Sequence, residues 1–110
     1  MRTDDKTMIG QAFSLNEQVN YQSGSVVSRT LLDKKIGTLT LFAFDAGQGL
    51  SEHTAPFDPV VQVIDGTAAV TIDGTVHQVQ AGEMIIMPAN LPHSLQAEER
   101  FKMLLVMIRA

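Results

Sequence analysis

Three histidines, His53, His77 and His93, are the side chains of this chain best able to move a proton or hold a metal ion near neutral pH. There is no cysteine, which removes thiolate ligands, disulfides and a thiol nucleophile and agrees with a reducing compartment. His53 opens the stretch SEHTAPFDPVVQVIDG, where Asp58 stands between Pro56 and Pro59 and Gln62 interrupts an apolar run. The prolines remove two backbone donors and so place Asp58 in a loop, from which its carboxylate either reaches a pocket mouth or stays solvated. Gln62, flanked by Val61 and Val63, needs a hydrogen-bond partner if the run is buried: backbone, water, a ligand, or an ion met by its carbonyl oxygen. His93 ends the stretch GEMIIMPANLPH, with a proline fixing its approach. Imidazoles from separate strands can aim at one point, and a carboxylate or third nitrogen then completes a metal shell. Two neutral imidazoles alone hold a divalent ion weakly, since functional sites usually show three protein ligands.

The elements that must position these residues are legible as period-two runs. SVVSRTLL, GTLTLFAFD, VVQVIDG, TAAVTIDG, TVHQVQAG, EMIIMPA and RFKMLLVMIR are short, β-branched or apolar, and punctuated by Gly, Pro, Asp or Asn about every ten residues. That spacing predicts an all-β sandwich or barrel. Asp73-Gly74 predicts a two-residue type I′ hairpin pairing residues 68–72 with 76–80, which puts His77 on a hairpin strand near the surface or a subunit contact. SLNEQVNY, residues 14–21, is the one candidate helical turn, with Ser14 as N-cap and Glu17 at the capping-box position.

The 110 residues suffice for one core, so residues 10–110 are expected to form a single domain behind a loose segment over 1–9. No apolar stretch approaches the roughly 20 residues of a membrane helix, and MRTDDKTM lacks the apolar region of a signal peptide. The reading is a soluble cytoplasmic protein without a membrane partner. A net charge of -4 with eight scattered Lys and Arg gives no electrostatic footprint for nucleic acid. Among all-β folds, the absence of Trp and Cys weighs against an immunoglobulin-type sandwich, and a jelly roll leads over a smaller oligonucleotide-binding barrel.

The two histidine-bearing stretches resemble the paired motifs of the cupin superfamily. Gly47, His53 and Gly66 fall on the first motif, and Gly82, Pro88 and His93 on the second. The resemblance implies a double-stranded β-helix, a small RmlC-like jelly-roll barrel. It also shows where this chain departs from the pattern: the family's second histidine falls on Ala55, its glutamate on Pro59, a glycine on Asn90 and an asparagine on Ala97. Asn90 still permits the left-handed backbone of that turn. By this resemblance, His53, Gln62, His93, Phe42 and Met87 line a barrel pocket for a small organic ligand, with Phe44, Met84, Phe101, Met103 and Met107 as candidates for its apolar walls or for plain core. The metal site is incomplete, with His53 and His93 as ligands and Gln62, Asp58 or His77 in reserve. The alternative is a divalent-metal-dependent enzyme of the oxygenase, isomerase or decarboxylase kind using His53 and His93. A binding module and an enzyme both fit. A homodimer is expected, because exposed strands and the apolar KMLLVMIR segment need cover.

Overall fold

The computed structural model describes residues 8–109, so most of the segment expected over 1–9 lies outside the described residues. In chain order the strands are β1 (Val26–Lys34), β2 (Gly37–Phe44), β3 (Gly49–His53), β4 (Val60–Asp65), β5 (Thr67–Ile72), β6 (Thr75–Gln80), β7 (Met84–Ile86), β8 (His93–Gln96) and β9 (Phe101–Ile108). They form a five-stranded sheet ordered β1-β2-β9-β4-β7 and a four-stranded sheet ordered β3-β8-β5-β6. All pairings are antiparallel, and the fold is the all-β jelly roll expected from the sequence.

Alternation places the core between the sheets. Phe44, Val61, Val63, Phe101 and Met103 of the larger sheet meet Ala68, Val70, Val79 and Leu95 of the smaller one. Phe101 stacks on Phe44 with ring centroids 4.5 Å apart, and Phe42 stacks on Phe44 at 5.7 Å. The alternate residues on β2, Leu41 and Ala43, point to the outer face, where a second cluster forms with Leu31, Val19 and Leu104. The segment from Met8 to Tyr21 lies over this face as a strap. Lys102, buried on β9, donates from Nζ to the carbonyl of Asn16 at 2.7 Å, and Tyr21 donates to Asp65 at 2.6 Å. Burial and that carboxylate both push the Tyr21 phenol well above its ordinary range, so it stays a donor.

The hairpin forms as expected. Asp73 and Gly74 both have positive φ, 48° and 85°, and β5 pairs with β6 in the anticipated register, Ala68 opposite Val79 and Thr71 opposite Val76. Asn90 takes φ 66°, the left-handed conformation its side chain tolerates. Two expectations need correction. The helical turn is a short 3-10 helix over Asn16–Gln18 capped by Leu15 without a side-chain bond, not a capping box on Ser14. Met84 is exposed on the outer face of β7, so it is no part of the barrel wall. The period-two runs also contain neither β3 nor β8, the two strands that carry the site.

Candidate functional site

β3 and β8 pair antiparallel, with His53 directly opposite His93 and a register shift between Leu50 and His53. Such a shift bends the strand and re-aims a side chain. Here it turns His53 across the opening of the barrel toward its partner. The two rings stand edge to face at 72° with centroids 4.4 Å apart, and their Nε2 atoms are 3.2 Å apart. His93 is only 2% exposed, whereas His53 is open to solvent. They are therefore not two equivalent mouth residues. His93 is the buried floor of the pair and His53 its outer jaw.

Both rings are held from behind. His53 Nδ1 lies 2.8 Å from the carbonyl oxygen of Ser51, and His93 Nδ1 lies 3.3 Å from that of Leu91. Along the chain Ser51 O, His53, His93, Leu91 O there are three contacts, and carbonyl oxygens cannot donate. Two neutral imidazoles carry two N–H protons between them. One contact is always a proton short, whichever tautomers are assigned. Desolvation first, and the neighbouring His53 second, push His93 below its ordinary value of 6.5, so burial favours its neutral form. With both Nδ1 atoms protonated toward their carbonyls, the two Nε2 lone pairs face one another as acceptors at the barrel opening.

Behind the pair lies an apolar cavity of about 40 Å³ whose walls include Leu50, Pro59, Val61, Met87, Leu95 and Met103. That is room for a few water-sized atoms. Met87, Met103 and Met107 lie among the walls; Leu50 and Leu95 sit on strands without a period-two signal, Pro59 walls the cavity from the position where the motif has a glutamate, and Val61 is a wall the motif does not supply. The parity shared by Val61 and Val63 was the available signal.

Four other site candidates lie elsewhere. Gln62 has the opposite parity from Val61 and Val63; it pairs with Leu104 and Met84 on the outer face of the larger sheet and does not line the cavity. Phe42 faces inward but stays in the aromatic stack on Phe44 and is not a wall of the cavity. Asp58 does sit in a loop, yet its Oδ1 accepts the backbone N–H of Ala89 at 2.7 Å, so it ties the two loops flanking the site together. His77 is exposed on β6, the far edge of the smaller sheet, with β5 between it and β8, about 10 Å away at the usual strand spacing.

As a metal centre the pair offers two nitrogen donors. Its Nε2 separation suits two cis nitrogens at about 2.1 Å from an ion, and Nδ1 anchoring on carbonyls is how metal-bound histidines are commonly oriented. The rest of a shell is lacking. Ala55 and Pro59 occupy the positions of the other ligands implied by the motif, Pro59 as a buried wall, and among the described residues no three His, Cys, Asp or Glu side chains come together. Two nitrogens do not fit a resident divalent ion.

Comparison with known proteins follows the same lines. The family model for the cupin domain matches residues 40–108. No curated protein matches the chain. Among solved structures, a conserved protein of unknown function from Streptococcus pyogenes is 34% identical with a TM-score of 0.90, the alignment covering 100% of this chain and 96% of that one. A cupin 2 conserved barrel domain protein from Leptotrichia buccalis is 42% identical with a TM-score of 0.84, over 87% of this chain and 47% of that one. A cupin superfamily protein from Desulfitobacterium hafniense, 23% identical with a TM-score of 0.86 over 91% and 92% of the two chains, shares the fold. With its two motifs on facing strands, its histidines opposed across the barrel opening and more than half its length matched by the family model, the chain belongs to the cupin family.

Proposed function

We propose that this cupin binds a small organic ligand through the His53–His93 pair, the ligand placing a hydroxyl or acid proton between the two Nε2 atoms and a short apolar group in the cavity behind them. The observation that carries this reading is the proton deficit of the pair. Three contacts share two protons at the opening of an apolar cavity, and a donor from outside satisfies all of them. Exposed His53 leaves room for the ligand's bulk at the mouth, while Met87, Met103 and Met107 give walls that adapt to its inserted end. A ligand proton delivered to this pair also gives acid–base chemistry a place to happen, at the Nε2 of His53 or His93.

Calorimetric titration with a series of short carboxylic acids and alcohols tests the reading. Binding that is lost in His53→Ala, with the unfolding transition kept, is the expected result; binding that survives the substitution overturns it. A second reading, a divalent-metal enzyme, keeps only the convergence of the two anchored Nε2 atoms and needs donors beyond them. Elemental analysis of the purified protein separates the two. About one transition-metal ion per chain, lost in His53→Ala, selects the metal reading.

A further inference from the structure

Two loops border the barrel opening, residues 54–59 after β3 and 87–92 after β7, and hydrogen bonds zip them together. Met87 N–H donates to the Pro59 carbonyl at 2.8 Å and Asn90 N–H to the Ala55 carbonyl at 2.7 Å. Between these points the first loop bends at Pro56 and Phe57, and the N–H of Ala89 is taken by a side chain instead, Asp58 Oδ1 at 2.7 Å. A carboxylate that accepts a backbone N–H makes the stronger, charge-assisted kind of bond. At its far end the second loop is held from behind, where the Pro92 carbonyl accepts the N–H of Asp73 at 2.8 Å. Leu91 lies between the two anchorages, and its carbonyl is the one that faces His93 Nδ1.

We propose that Asp58 is the positioning residue of the histidine pair: by fixing the turn at 89–91 it holds the Leu91 carbonyl on His93 Nδ1, and so sets whether the pair is open to a ligand or closed on itself. The two anchors of the pair are unequal. Ser51 O lies 2.8 Å from His53 Nδ1, both within β3, whereas Leu91 O lies 3.3 Å from His93 Nδ1. The second contact is already at the long end of hydrogen-bond range, so a shift of roughly a few tenths of an ångström in the turn loses it. A His93 without this acceptor has another place for its proton. Moved to Nε2, the proton is donated to His53 Nε2, 3.2 Å away, and the pair is satisfied from within. With the proton on Nδ1, both Nε2 lone pairs stay turned to the opening. The two arrangements exchange one hydrogen bond for another of similar length, so a single bond at Ala89 is enough to tip them. The consequence for binding rests on the ligand reading above; the tautomer does not.

Nitrogen NMR shifts of the imidazoles in the full chain at about pH 8.5, above the ordinary imidazole range, read the tautomer of each of the three histidines with no ligand present. In Asp58→Ala the ratio of Nδ1–H to Nε2–H tautomer at His93 is expected to fall at least about fivefold, the worth of one hydrogen bond. His53, anchored within β3, and His77, with β5 between it and β8, are expected to keep their wild-type ratios. Asp58→Asn, whose amide oxygen still accepts the Ala89 N–H, is expected to restore the wild-type ratio at His93, which a general loosening of the fold would not allow. Asp58 is open to solvent, so alanine there leaves neither a cavity nor a buried charge. Should the variant nonetheless fail to fold, hydrogen exchange at the Ala89 amide of the wild type decides the matter, with protection of at least about tenfold expected. An unchanged ratio in a folded Asp58→Ala, an equal fall in Asp58→Asn, or an unprotected Ala89 amide overturns the proposal. Calorimetry that finds no acid or alcohol bound counts against the ligand reading alone and leaves these shifts as they are.

Discussion

The β2–β9 pair and the β3–β8 pair are built on opposite plans. β2 and β9 stay in register over eight consecutive partner positions, and both faces are packed: Phe44 and Met103 inward, Leu41 and Leu104 outward. β3 and β8 share three partner positions with a shift among them, and β3 leaves Ser51, Glu52 and His53 open to solvent. Continuous pairing with both faces packed around Leu41–Phe44 gives stability and leaves the ladder complete. Interrupted pairing leaves backbone and imidazole atoms open to solvent, as the proposed ligand site needs. Scaffold and site are therefore separable, and substitutions in one region should not mimic those in the other.

The hardest test of that division is Phe101→Ala. Its ring is fully buried against Phe44, and truncation is expected to cost about 3–5 kcal/mol in urea unfolding. His53→Ala, which removes an exposed jaw, is expected to cost under about 1 kcal/mol while abolishing ligand binding. Similar losses of stability from both would break the comparison. Next in size is Gly66→Ala, at the turn between β4 and β5. Gly66 has φ +76°, and a Cβ there would collide with the carbonyl oxygen of Arg100, so strain and backbone displacement together are expected to cost about 2–3 kcal/mol. Thermal unfolding of the variant reads it directly.

The same contrast explains what could be read from the residues alone. β2, β4, β5, β6 and β9 follow a hydrophobic period because a buried face selects side chains at every second position, and Asp73-Gly74 marks a turn because its dihedrals demand those residues. GLSEH and HSLQ carry no such period. Their side chains answer to a site and to solvent, and a shift between Leu50 and His53 breaks the alternation, so β3 and β8 were recoverable only through the motif resemblance. Gln62 misled for the complementary reason. A run apolar at every position looks buried on both faces, but on β4 one face is the core and the other the partly covered exterior, and only the register tells which face an amide occupies.

pH sharpens the division from the side of the site. Burial and His53 hold His93 below its unfolded value of 6.5, so as pH falls the unfolded chain takes up that proton first. Stability from this residue is complete above the unfolded value and is lost as pH drops through it toward the lower folded value. The melting temperature is expected to decline between about pH 7.5 and 5.5, ahead of carboxylate titration, and His93→Asn is expected to flatten that slope. An unchanged slope in the variant would assign the decline to other groups.

The smallest expected effect falls on the outer face of β4. Gln62 stands opposite Leu104 with Met84 on its other side, partly open to solvent and away from the histidines. Gln62→Leu removes no cavity wall and strands no buried partner, so stability is expected to change by no more than about 0.5 kcal/mol and ligand affinity not at all. Scanning and titration calorimetry on one preparation read both quantities. Loss of ligand binding in Gln62→Leu would mean that the two faces of β4 are coupled, and the separation of scaffold from site would then fail at the strand lying between them.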